Sequence, residues 1–472
     1  MLVLAICCMS LFIVGLDSTI VNVALPSIGH DLHSSVSGLQ WTIDAYLLVL
    51  ASLLMFSGST ADRVGRRRTF QAGLALFTLG SLLCSLAPGL GWLVVFRMLQ
   101  AVGGSMLNPV AMSIITNTFT DPAERAKAIG IWGGVFGLSM ALGPVAGGAL
   151  VDSVGWRGIF WVNIPVGIAA IVLTALFVPE SRAGRPRRPD PVGQVLIIVL
   201  LASLTYAIIE GPGSGWGSPR ILGFFGLAAV ALLLFLAYEP RRRDPLIDPR
   251  FFRSAPFSGA TATAVSSMAA LGGFLFLNTL YLQDVRGFRA LIAGLYLLPM
   301  AVAMAVCAPL AGRIVAKRGT RLPLMVSGIA LIVSGMLLTR IGDSTGTGYL
   351  ALSYLVFGAG LGLVNAPITN SAVSGMPRQQ AGVAAGVAST SRQVGQSLGV
   401  AIMGSVLNGN LHGAMRTGFT GASRPGWWVV AACGALGLIL AGVTTGRWAL
   451  RTAAQTASLL SPAEDRPPVS VP

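Results

Sequence analysis

The stretch LVLAICCMSLFIVGLDSTIVNVAL, residues 2–25, is an almost unbroken apolar run in which Asp17 is the only charged residue. A helix that crosses a lipid bilayer needs about 20 predominantly apolar residues, so this run is long enough for one crossing. Comparable runs, bounded by Pro, Gly or charged residues, recur along the chain. Together they predict about fourteen spans, at residues 2–25, 40–61, 69–87, 91–115, 126–150, 157–178, 191–210, 220–238, 255–283, 290–312, 322–340, 347–372, 381–407 and 426–449.

The composition is typical of a chain that lies largely in lipid. Hydrophobic residues make up 54% of the 472 positions and charged residues only 10%, and the mean hydropathy is +0.75. A soluble domain carries about a quarter charged residues. Because backbone polar groups in lipid must be satisfied within their own segment, we predict an all-α integral membrane protein with the lipid bilayer as a partner.

Basic residues are distributed unevenly between the two sets of loops. If the N-terminus is inside the cell, the inner loops and tail contain 23 Lys and Arg residues and the outer loops contain 7. This asymmetry follows the positive-inside rule. It predicts a multi-pass protein of a bacterial cytoplasmic membrane with both termini cytoplasmic. The formal net charge of +15 then sets topology, and no nucleic-acid partner is expected.

Several chemistries lack their sequence motifs. Neither of the two lysines, Lys127 and Lys317, stands in a GxxxxGK[ST] motif, so ATP is not expected as the energy source. No HExxH motif or Cys/His cluster accompanies the three histidines, so no metal site is predicted. A GxSxG elbow is also missing. We therefore predict neither an enzyme nor a bound cofactor.

A few charged residues interrupt the apolar runs. Asp17 and Asp44 lie in the first two runs, and Arg97 and Arg392 are the basic exceptions. An ionisable residue inside a span is costly and is therefore a functional candidate. A carboxylate exposed alternately to both sides of the membrane can carry protons inward. Asp17, Asp44 and Arg97 are therefore the predicted proton-coupling residues, and the proton gradient is the predicted energy source for transport. Arg392 could line a cavity or pair with a backbone carbonyl.

The same carboxylates could hold a cationic small-molecule substrate. Trp41 and Tyr46 stand close to Asp44 in the sequence, and aromatic faces attract cations. The predicted substrate-binding residues are therefore Asp17, Asp44, Trp41 and Tyr46. The alternative is that one aspartate only pairs with Arg97 or caps a kink.

Four short motifs stand in successive spans or loops of the first half. They are LDSTIVNVALP at residues 16–26, GSTADRVGRR at 58–67, RMLQAVGG at 97–104 and GPVAGG at 143–148. These motifs resemble those of the major facilitator superfamily, specifically its fourteen-span drug:proton antiporter branch (EmrB/QacA-like). Two departures are small: Thr60 replaces the usual Leu, and Ala101 replaces the usual Gly.

The resemblance implies two six-helix bundles with two extra transmembrane helices between them. The implied divisions are an N-terminal bundle at 1–180, a central linker at 181–254 that contains the extra spans 191–210 and 220–238, a C-terminal bundle at 255–450 and a disordered cytoplasmic tail at 451–472.

The resemblance also implies roles for the motif residues. Arg97 takes part in proton transfer. The loop motif is expected to latch the cytoplasmic side, favouring the outward-open state, through Gly58, Asp62, Arg63, Gly65, Arg66 and Arg67. The antiporter motif is expected to pack closely and bend its helix through Gly143, Pro144, Gly147 and Gly148.

The implied function is a proton-coupled antiporter that exports small lipophilic, cationic drugs or toxic compounds by alternating access. One alternative is a dedicated exporter of a self-made antibiotic or metabolite, which would share the fold and the chemistry. A proton-driven importer is disfavoured by the antiporter motif. A non-transporting membrane sensor or anchor would leave Asp17, Asp44 and Arg97 without a reason to lie in lipid.

Overall fold

The computed structural model describes residues 1–182, 189–242, 245–374, 376 and 380–460. Regular structure in these residues is helical, without β-strands. Two 3-10 turns (Glu239–Arg241 and Pro249–Arg253) and one π-helical turn (Tyr281–Val285) join the α-helices. The α-helices are α1 (Leu2–Asp31), α2 (Val36–Val64), α3 (Arg66–Ser85), α4 (Leu90–Thr118), α5 (Pro122–Val154), α6 (Gly158–Trp161), α7 (Asn163–Phe177), α8 (Pro191–Ser214), α9 (Pro219–Tyr238), α10 (Ala255–Leu280), α11 (Ala290–Tyr296), α12 (Leu298–Arg318), α13 (Arg321–Leu338), α14 (Thr347–Val373), α15 (Ala381–Asn410), α16 (Met415–Thr444) and α17 (Arg447–Leu460).

Within the described residues, twelve helical segments are long and apolar enough to cross a membrane, which is fewer than the fourteen predicted. The predicted spans at 69–87 and 381–407 are not among the twelve. Their helices are more polar, because α3 begins with Arg66, Arg67 and Arg68 and α15 contains the run SRQVGQ at 391–396. The twelve are Leu2–Asp31, Val36–Val64, Leu90–Thr118, Ala123–Val154, Gly158–Phe177, Pro191–Ser214, Pro219–Arg241, Ala255–Val285, Ala290–Arg318, Arg321–Leu338, Thr347–Val373 and Met415–Thr444.

The helices pack in two sets. In the first set α1 lies along α5, α4 lies along both α2 and α3, and α7 packs on α3 and α1. In the second set α10 lies along α15, α12 along α14, and α13 along α16. We call α1–α7 the N-terminal bundle and α10–α16 the C-terminal bundle. Close approach depends on small residues: a Cβ added at Gly80 of α3 would lie 2.6 Å from Gln100 Cα of α4.

Successive long helices run in opposite directions, so their ends lie on two faces of the molecule. The face that we call the basic face contains the α2–α3 turn at Gly65, the start of α10 at Ala255 and the start of α17 at Arg447. The opposite face contains the end of α1 at Asp31, the start of α11 at Ala290 and Trp156, whose Nε1 donates to Asp31 Oδ2 at 2.8 Å.

The two bundles are joined near the opposite face. Gln40 Nε2 of α2 donates to the carbonyl oxygens of Val400 and Ala401 in α15, at 3.2 and 2.8 Å. Asp152 of α5 accepts from the amides of Ala290 and Leu291 in α11, both at 3.2 Å. These bonds hold the parts of α2 and α5 that lie near the opposite face against the C-terminal bundle.

Toward the basic face, one side of α5 and one side of α15 lack packing neighbours, although Ala384, Val387 and Ala388 of α15 stay buried. Cβ atoms added at Gly130 and Gly137 in α5, or at Gly382 and Gly386 in α15, would meet no heavy atom within 4 Å. All hydrogen bonds found between the two bundles in the described residues lie in the half of the molecule nearer the opposite face. The space between the bundles is therefore open toward the basic face.

Helix α8 lies outside the two bundles, over the seam between α2 and α15, and α9 packs on α8. Gln194 Nε2 of α8 donates to the Ser52 carbonyl oxygen of α2 at 2.6 Å. Ser405 Oγ of α15 donates to the Ile208 carbonyl oxygen of α8 at 2.7 Å. Helix α8 is therefore bonded to both sides of the seam.

The C-terminal region differs from the prediction of a disordered tail at 451–472. Residues 451–460 belong to α17, an amphipathic helix that buries Ala449, Ala453, Thr456 and Leu460. This spacing puts small and apolar side chains on one face, and the helix docks beside α10, where Thr452 Oγ1 accepts from the Ala255 amide at 3.0 Å. Residues 461–472 lie outside the described residues.

The last span also begins earlier than predicted. Helix α16 starts at Met415, not near residue 426, and Pro425 lies inside it. The predicted span 426–449 begins directly after Arg424 and Pro425, because charge and proline usually mark helix ends. Packing of Phe419, Ala422 and Ser423 inside the bundle extends the helix through both residues.

Candidate functional site

An ion pair lies inside the N-terminal bundle. Arg97 Nη1 of α4 is 2.6 Å from Asp17 Oδ2 of α1, and the exposures of the two residues are 1% and 0%. Gln100, one turn after Arg97, completes a closed ring: it accepts from Arg97 Nη1 at 2.7 Å and donates to Asp17 Oδ1 at 2.9 Å. Each charge is thus held by at least two hydrogen bonds.

Two further helices supply polar partners for this ring. Ser81 Oγ of α3 accepts from Gln100 Nε2 at 2.8 Å. Asn163 Nδ2, at the first residue of α7, donates to Asp17 Oδ1 and Ser81 Oγ, both at 3.3 Å. Buried polar groups need such partners, so the ring ties four helices together.

Helix α2 closes the other side of the guanidinium. Arg97 Nε donates to the Thr42 carbonyl oxygen at 3.3 Å, and Arg97 Cζ lies 4.1 Å from the centre of the Tyr46 ring. Tyr46 is 1% exposed, and its hydroxyl has no hydrogen-bond partner in the described residues. Tyr46 therefore contacts the predicted proton-coupling arginine.

The structure brings Asp17 and Arg97 together but does not expose Asp17 to the space between the bundles. This geometry agrees with the alternative named in the sequence analysis, in which one aspartate pairs with Arg97. Direct substrate contact by Asp17 stays a prediction for another conformation. In this one the carboxylate is enclosed by Arg97, Gln100 and Asn163.

Asp44 occupies a different position, at the seam between the bundles. It lies on α2 next to Ser397 of α15, and its exposure is 0%. Neither carboxylate oxygen has a hydrogen-bond partner with ordinary geometry in the described residues, and the Ser397 hydroxyl has none either. A buried polar group without a partner costs free energy, so Asp44 is the least satisfied acid among the predicted site residues.

The predicted aromatic residues separate in space. Trp41 faces away from Arg97 and toward α8, where its Nε1 donates to Glu210 Oε1 at 2.9 Å and its ring lies 6.0 Å from that of Tyr206. Tyr46, by contrast, packs on Arg97. Because residues 41 and 46 are five apart, the helical repeat points them in different directions. The predicted substrate set is therefore not one cluster in this structure.

The predicted latch residues lie at the basic face. Arg66 donates to Asp62 Oδ1 from Nη2 at 3.0 Å and from Nε at 3.3 Å. Glu180, which follows α7, accepts from the amides of Arg67 and Arg68 at 3.1 and 3.3 Å and so caps α3. Gly65 has φ of +129°, and a Cβ there would lie 2.7 Å from Glu180 Oε1. Gly58 lies nearby in α2, and Arg63 is exposed at its end.

All of these latch contacts stay within the N-terminal bundle. In the described residues no hydrogen bond joins Asp62, Arg63, Arg66 or Arg67 to the C-terminal bundle. A latch between bundles is thus not formed here, which agrees with the opening toward the basic face.

The antiporter motif packs α5 against two helices. A Cβ added at Gly143 would meet the Thr19 side chain of α1, and one at Gly147 would lie 2.7 Å from Ile20 Cγ1. Gly148 instead faces the C-terminal bundle, where a Cβ would lie 2.5 Å from Leu291 Cα. Gly294 of α11 in turn approaches the carbonyl of Pro144. The motif therefore forms part of the closed seam near the opposite face.

Comparison with known proteins assigns the family. A profile described as Major Facilitator Superfamily matches residues 7–400 of the chain. The chain belongs to this superfamily. It is therefore a multi-pass membrane transporter of small molecules and not an enzyme, as the sequence predicted. The fourteen-span branch is not established by this match.

Superfamily relatives are similar over most of their length. The chain is 38% identical over 399 residues to "Multidrug resistance protein Stp" of Mycobacterium tuberculosis (strain CDC 1551 / Oshkosh), covering 84% of this chain and 74% of that protein. It is also 38% identical over 395 residues to "Tetracenomycin C resistance and export protein" of Streptomyces glaucescens, covering 84% and 73%.

A solved transporter structure shares the fold. It is a bacterial homolog of the human lysosomal transporter Spinster in an inward-facing, unoccupied conformation. The TM-score is 0.66 at 18% identity, and the match covers 96% of this chain and 97% of that chain. At this identity the likeness concerns the fold alone.

Several residues of the site were missed by sequence reasoning. Gln100 stands in a motif that the sequence singled out, but its role was not predicted. Asn163 and Ser81 are ordinary polar residues within apolar runs, and a polar residue at a helix start gives only a weak signal. Glu210 is the last residue of the predicted span 191–210, and Glu180 follows the predicted span 157–178, so neither position indicated a partner. Within the described residues no group of His, Cys, Asp and Glu is arranged to hold a metal ion.

Proposed function

We propose that this superfamily member is a proton-coupled antiporter that exports small lipophilic drugs by alternating access. The observation that carries the proposal is the buried Asp17–Arg97 pair, which places a titratable carboxylate inside a transporter. The names of its relatives support drug export, because one is a multidrug resistance protein and another a resistance and export protein.

The pair supplies a mechanism for proton coupling. A proton on Asp17 would remove the negative charge that holds Arg97 and leave the guanidinium without a counter-ion in a low-dielectric interior. An unpaired buried charge is strongly unfavourable, so protonation favours a conformation in which Arg97 finds other acceptors. Because α1, α2, α3, α4 and α7 all meet at this pair, its rearrangement would move the N-terminal bundle as a unit.

Asp44 supplies a second titratable position at the moving seam. Its carboxylate lies on α2 and faces α15, and the two helices must separate when the opposite face opens. With Asp17 held by Arg97, Asp44 is the carboxylate left to interact with a cationic drug. The preference for cations therefore rests on Asp44 alone in this conformation.

We propose that the chain crosses the membrane fourteen times and is divided at 1–180, 181–254, 255–450 and 451–472. Helix α17 forms the first part of the tail. Helices α3 and α15 pack lengthwise on α4 and α10, which are themselves candidate spans. Adding these two helices to the twelve apolar ones gives fourteen. The excess of arginine supports a cytoplasmic basic face and cytoplasmic termini, so the described state would be open inward.

The direct test is transport in everted membrane vesicles with an imposed proton gradient. Drug accumulation that requires the gradient and persists without ATP is expected for the wild type, and Asp17→Asn is expected to abolish the coupling. Intact coupled transport in Asp17→Asn would make the assignment of Asp17 wrong. Uptake, and not efflux, in energised whole cells would instead favour the importer.

A second candidate is a dedicated exporter of one antibiotic or metabolite. It is favoured by the relative whose name specifies a single compound, tetracenomycin C. A resistance panel of cationic and neutral drugs, run on the wild type, Asp17→Asn and Asp44→Asn, separates the two. Resistance to one chemical class only would favour the dedicated exporter.

A further inference from the structure

Arg392 is a basic residue of α15 that the proposed proton path does not use. Its Nη2 donates to Ser389 Oγ at 3.0 Å, one turn nearer the basic face. No carboxylate of the described residues lies within 4 Å of it, whereas Arg97 has Asp17 at 2.6 Å. A guanidinium has five N–H donors, so most of its donors have no acceptor among the described residues.

The packing of α15 fixes the direction in which Arg392 points. Val387 and Val394 line an apolar cavity of about 140 Å³ shared with α2 and α8. Gly395 and Gly399 approach the backbone of α10, at Val265 and Ala269. Ser397, on a third side, lies next to Asp44 of α2.

These contacts face α8, α10 and α2, and α15 also touches α14 and α16. The helical repeat places Ser389, Arg392 and Gln393 together on another side. That side faces the space between the bundles, which is open toward the basic face at Gly382 and Gly386. Gln393 Oε1 on the same side is buried without a hydrogen-bond partner. Arg392 itself stays partly exposed.

A positive charge inside a span is expensive unless a partner or water compensates it. The planar fork of arginine matches a carboxylate or another oxyanion with two parallel hydrogen bonds. In this conformation no acid of the N-terminal bundle pairs with Arg392 among the described residues: Arg97 neutralises Asp17, and Asp44 lies beside Ser397 without an ion pair.

We propose that Arg392 is a substrate-binding residue that holds an oxyanion group, such as a carboxylate, of the exported molecule. The inference rests on the proposed export function and adds a chemical class to it: the lipophilic substrate carries an acidic group. A cation-selective site at Asp44 would not predict this requirement.

A lipid phosphate has the same chemistry as a substrate oxyanion, so the experiment must separate these two sources. The probes are 1-naphthaleneacetic acid and 1-naphthaleneacetamide, which differ only in the acidic group. Binding to the full-length protein is measured by calorimetry in phosphatidylcholine nanodiscs, without a proton gradient. The measurement is then repeated with phosphatidylglycerol added to the nanodiscs.

The wild type is expected to bind the acid about 10- to 100-fold more tightly than the amide, the range of a charge-assisted hydrogen bond. Arg392→Gln should remove this preference and leave amide binding unchanged. Arg392→Lys, which keeps the charge but loses the fork, should retain part of it. Arg318→Gln, an exposed arginine at the end of α12, is the matched control and should change nothing.

Three results would overturn the proposal. They are equal affinity of the wild type for acid and amide, no binding of the acid at millimolar concentration, and a preference for the acid that survives in Arg392→Gln. Loss of the wild-type preference in phosphatidylglycerol would assign the site to a lipid headgroup and equally overturn it. If Arg392→Gln does not fold, the intermediate preference of Arg392→Lys decides the question. Because binding is measured without a gradient, failure of proton-coupled export in vesicles is a separate result.

Discussion

Gln100 bridges Arg97 and Asp17 by accepting a hydrogen bond from the first and donating one to the second, at 2.7 and 2.9 Å. The ion pair and its bridge are buried together, with exposures of 1% or less. The two opposite charges are thus stabilised mainly by each other, with the Gln100 and Asn163 amides, the Thr42 carbonyl and the Tyr46 ring as further partners. Substitution on one side of the pair should therefore affect stability and function together.

We expect Asp17→Asn to lower the free energy of unfolding by about 3–5 kcal/mol, because it leaves the buried Arg97 charge unpaired. The double variant Asp17→Asn/Arg97→Gln should recover most of this loss, since no charge then remains. Neither variant should couple transport to protons. Thermal unfolding in detergent and vesicle transport measure the two effects, and a single variant as stable as the wild type would contradict the pairing.

We expect Asp44→Asn to behave differently from Asp17→Asn. Among the described residues the Asp44 carboxylate has only the Ser397 hydroxyl beside it and no ion pair, so replacing it by a neutral amide should leave the unfolding temperature unchanged or raise it. Proton-coupled export should nevertheless fall at least tenfold if Asp44 carries a proton or a cation. Comparing unfolding temperature with drug accumulation in one preparation checks this, and unchanged export would remove Asp44 from the mechanism.

Two glycines of the loop motif should differ in tolerance. Gly65→Ala combines a positive φ of +129° with a Cβ 2.7 Å from Glu180 Oε1, so we expect a cost of about 1–3 kcal/mol. Gly58→Ala is the matched control, because its Cβ would meet only Pro109 Cβ at 3.7 Å. Thermal unfolding of both variants tests the difference, and equal stability would mean that the Glu180 cap yields easily.

Gly148→Ala should disturb the contact that closes the opposite face. Its Cβ would lie 2.5 Å from Leu291 Cα across the seam, whereas Gly137, in the same helix, has open space. We expect Gly148→Ala, but not Gly137→Ala, to shift the population toward an outward-open state. Spin labels at the exposed positions Val154 and Ile292 report the separation of α5 from α11, and an unchanged distance would contradict the prediction.

Trp41→Phe tests whether this tryptophan binds substrate or fastens α8. The hydrogen bond to Glu210 predicts a loss of stability of about 0.5–1.5 kcal/mol with unchanged drug affinity. Glu210→Gln keeps an acceptor oxygen and should be milder. Reduced drug affinity in Trp41→Phe, measured by fluorescence titration, would return Trp41 to the substrate site.

Sequence reasoning went furthest where local chemistry decides the outcome. Apolar runs such as 2–25 indicated membrane helices, and the motifs at 16–26, 97–104 and 143–148 indicated the superfamily, which is confirmed. The number of spans was predicted less well, because two of the helices are polar. Helices α3 and α15 were predicted as spans, yet neither is apolar enough to be among the twelve candidate spans of the described residues. Proton coupling and the direction of transport stay predictions.

Partners at long range could not be read from the chain. Asp17 is bonded to residues from α4 and α7, and Glu180 caps a helix that begins more than a hundred residues earlier. Such contacts depend on how whole helices pack, and a helix this apolar gives no periodic signal of the face that each polar residue occupies.

By itself, the sequence determined that the chain is a helical membrane transporter and that Asp17, Asp44, Arg97 and Arg392 are the charges to explain. Hydrophobicity and charge cost act residue by residue, so they are visible without a fold. Only the tertiary structure decided that Asp17 and Arg97 neutralise each other, while Asp44 and Arg392 have no counter-ion in the part of the chain that the structure describes. The reason is physical: the energy of a buried charge depends on which neighbour lies within a few ångströms, and only helix packing brings that neighbour into place.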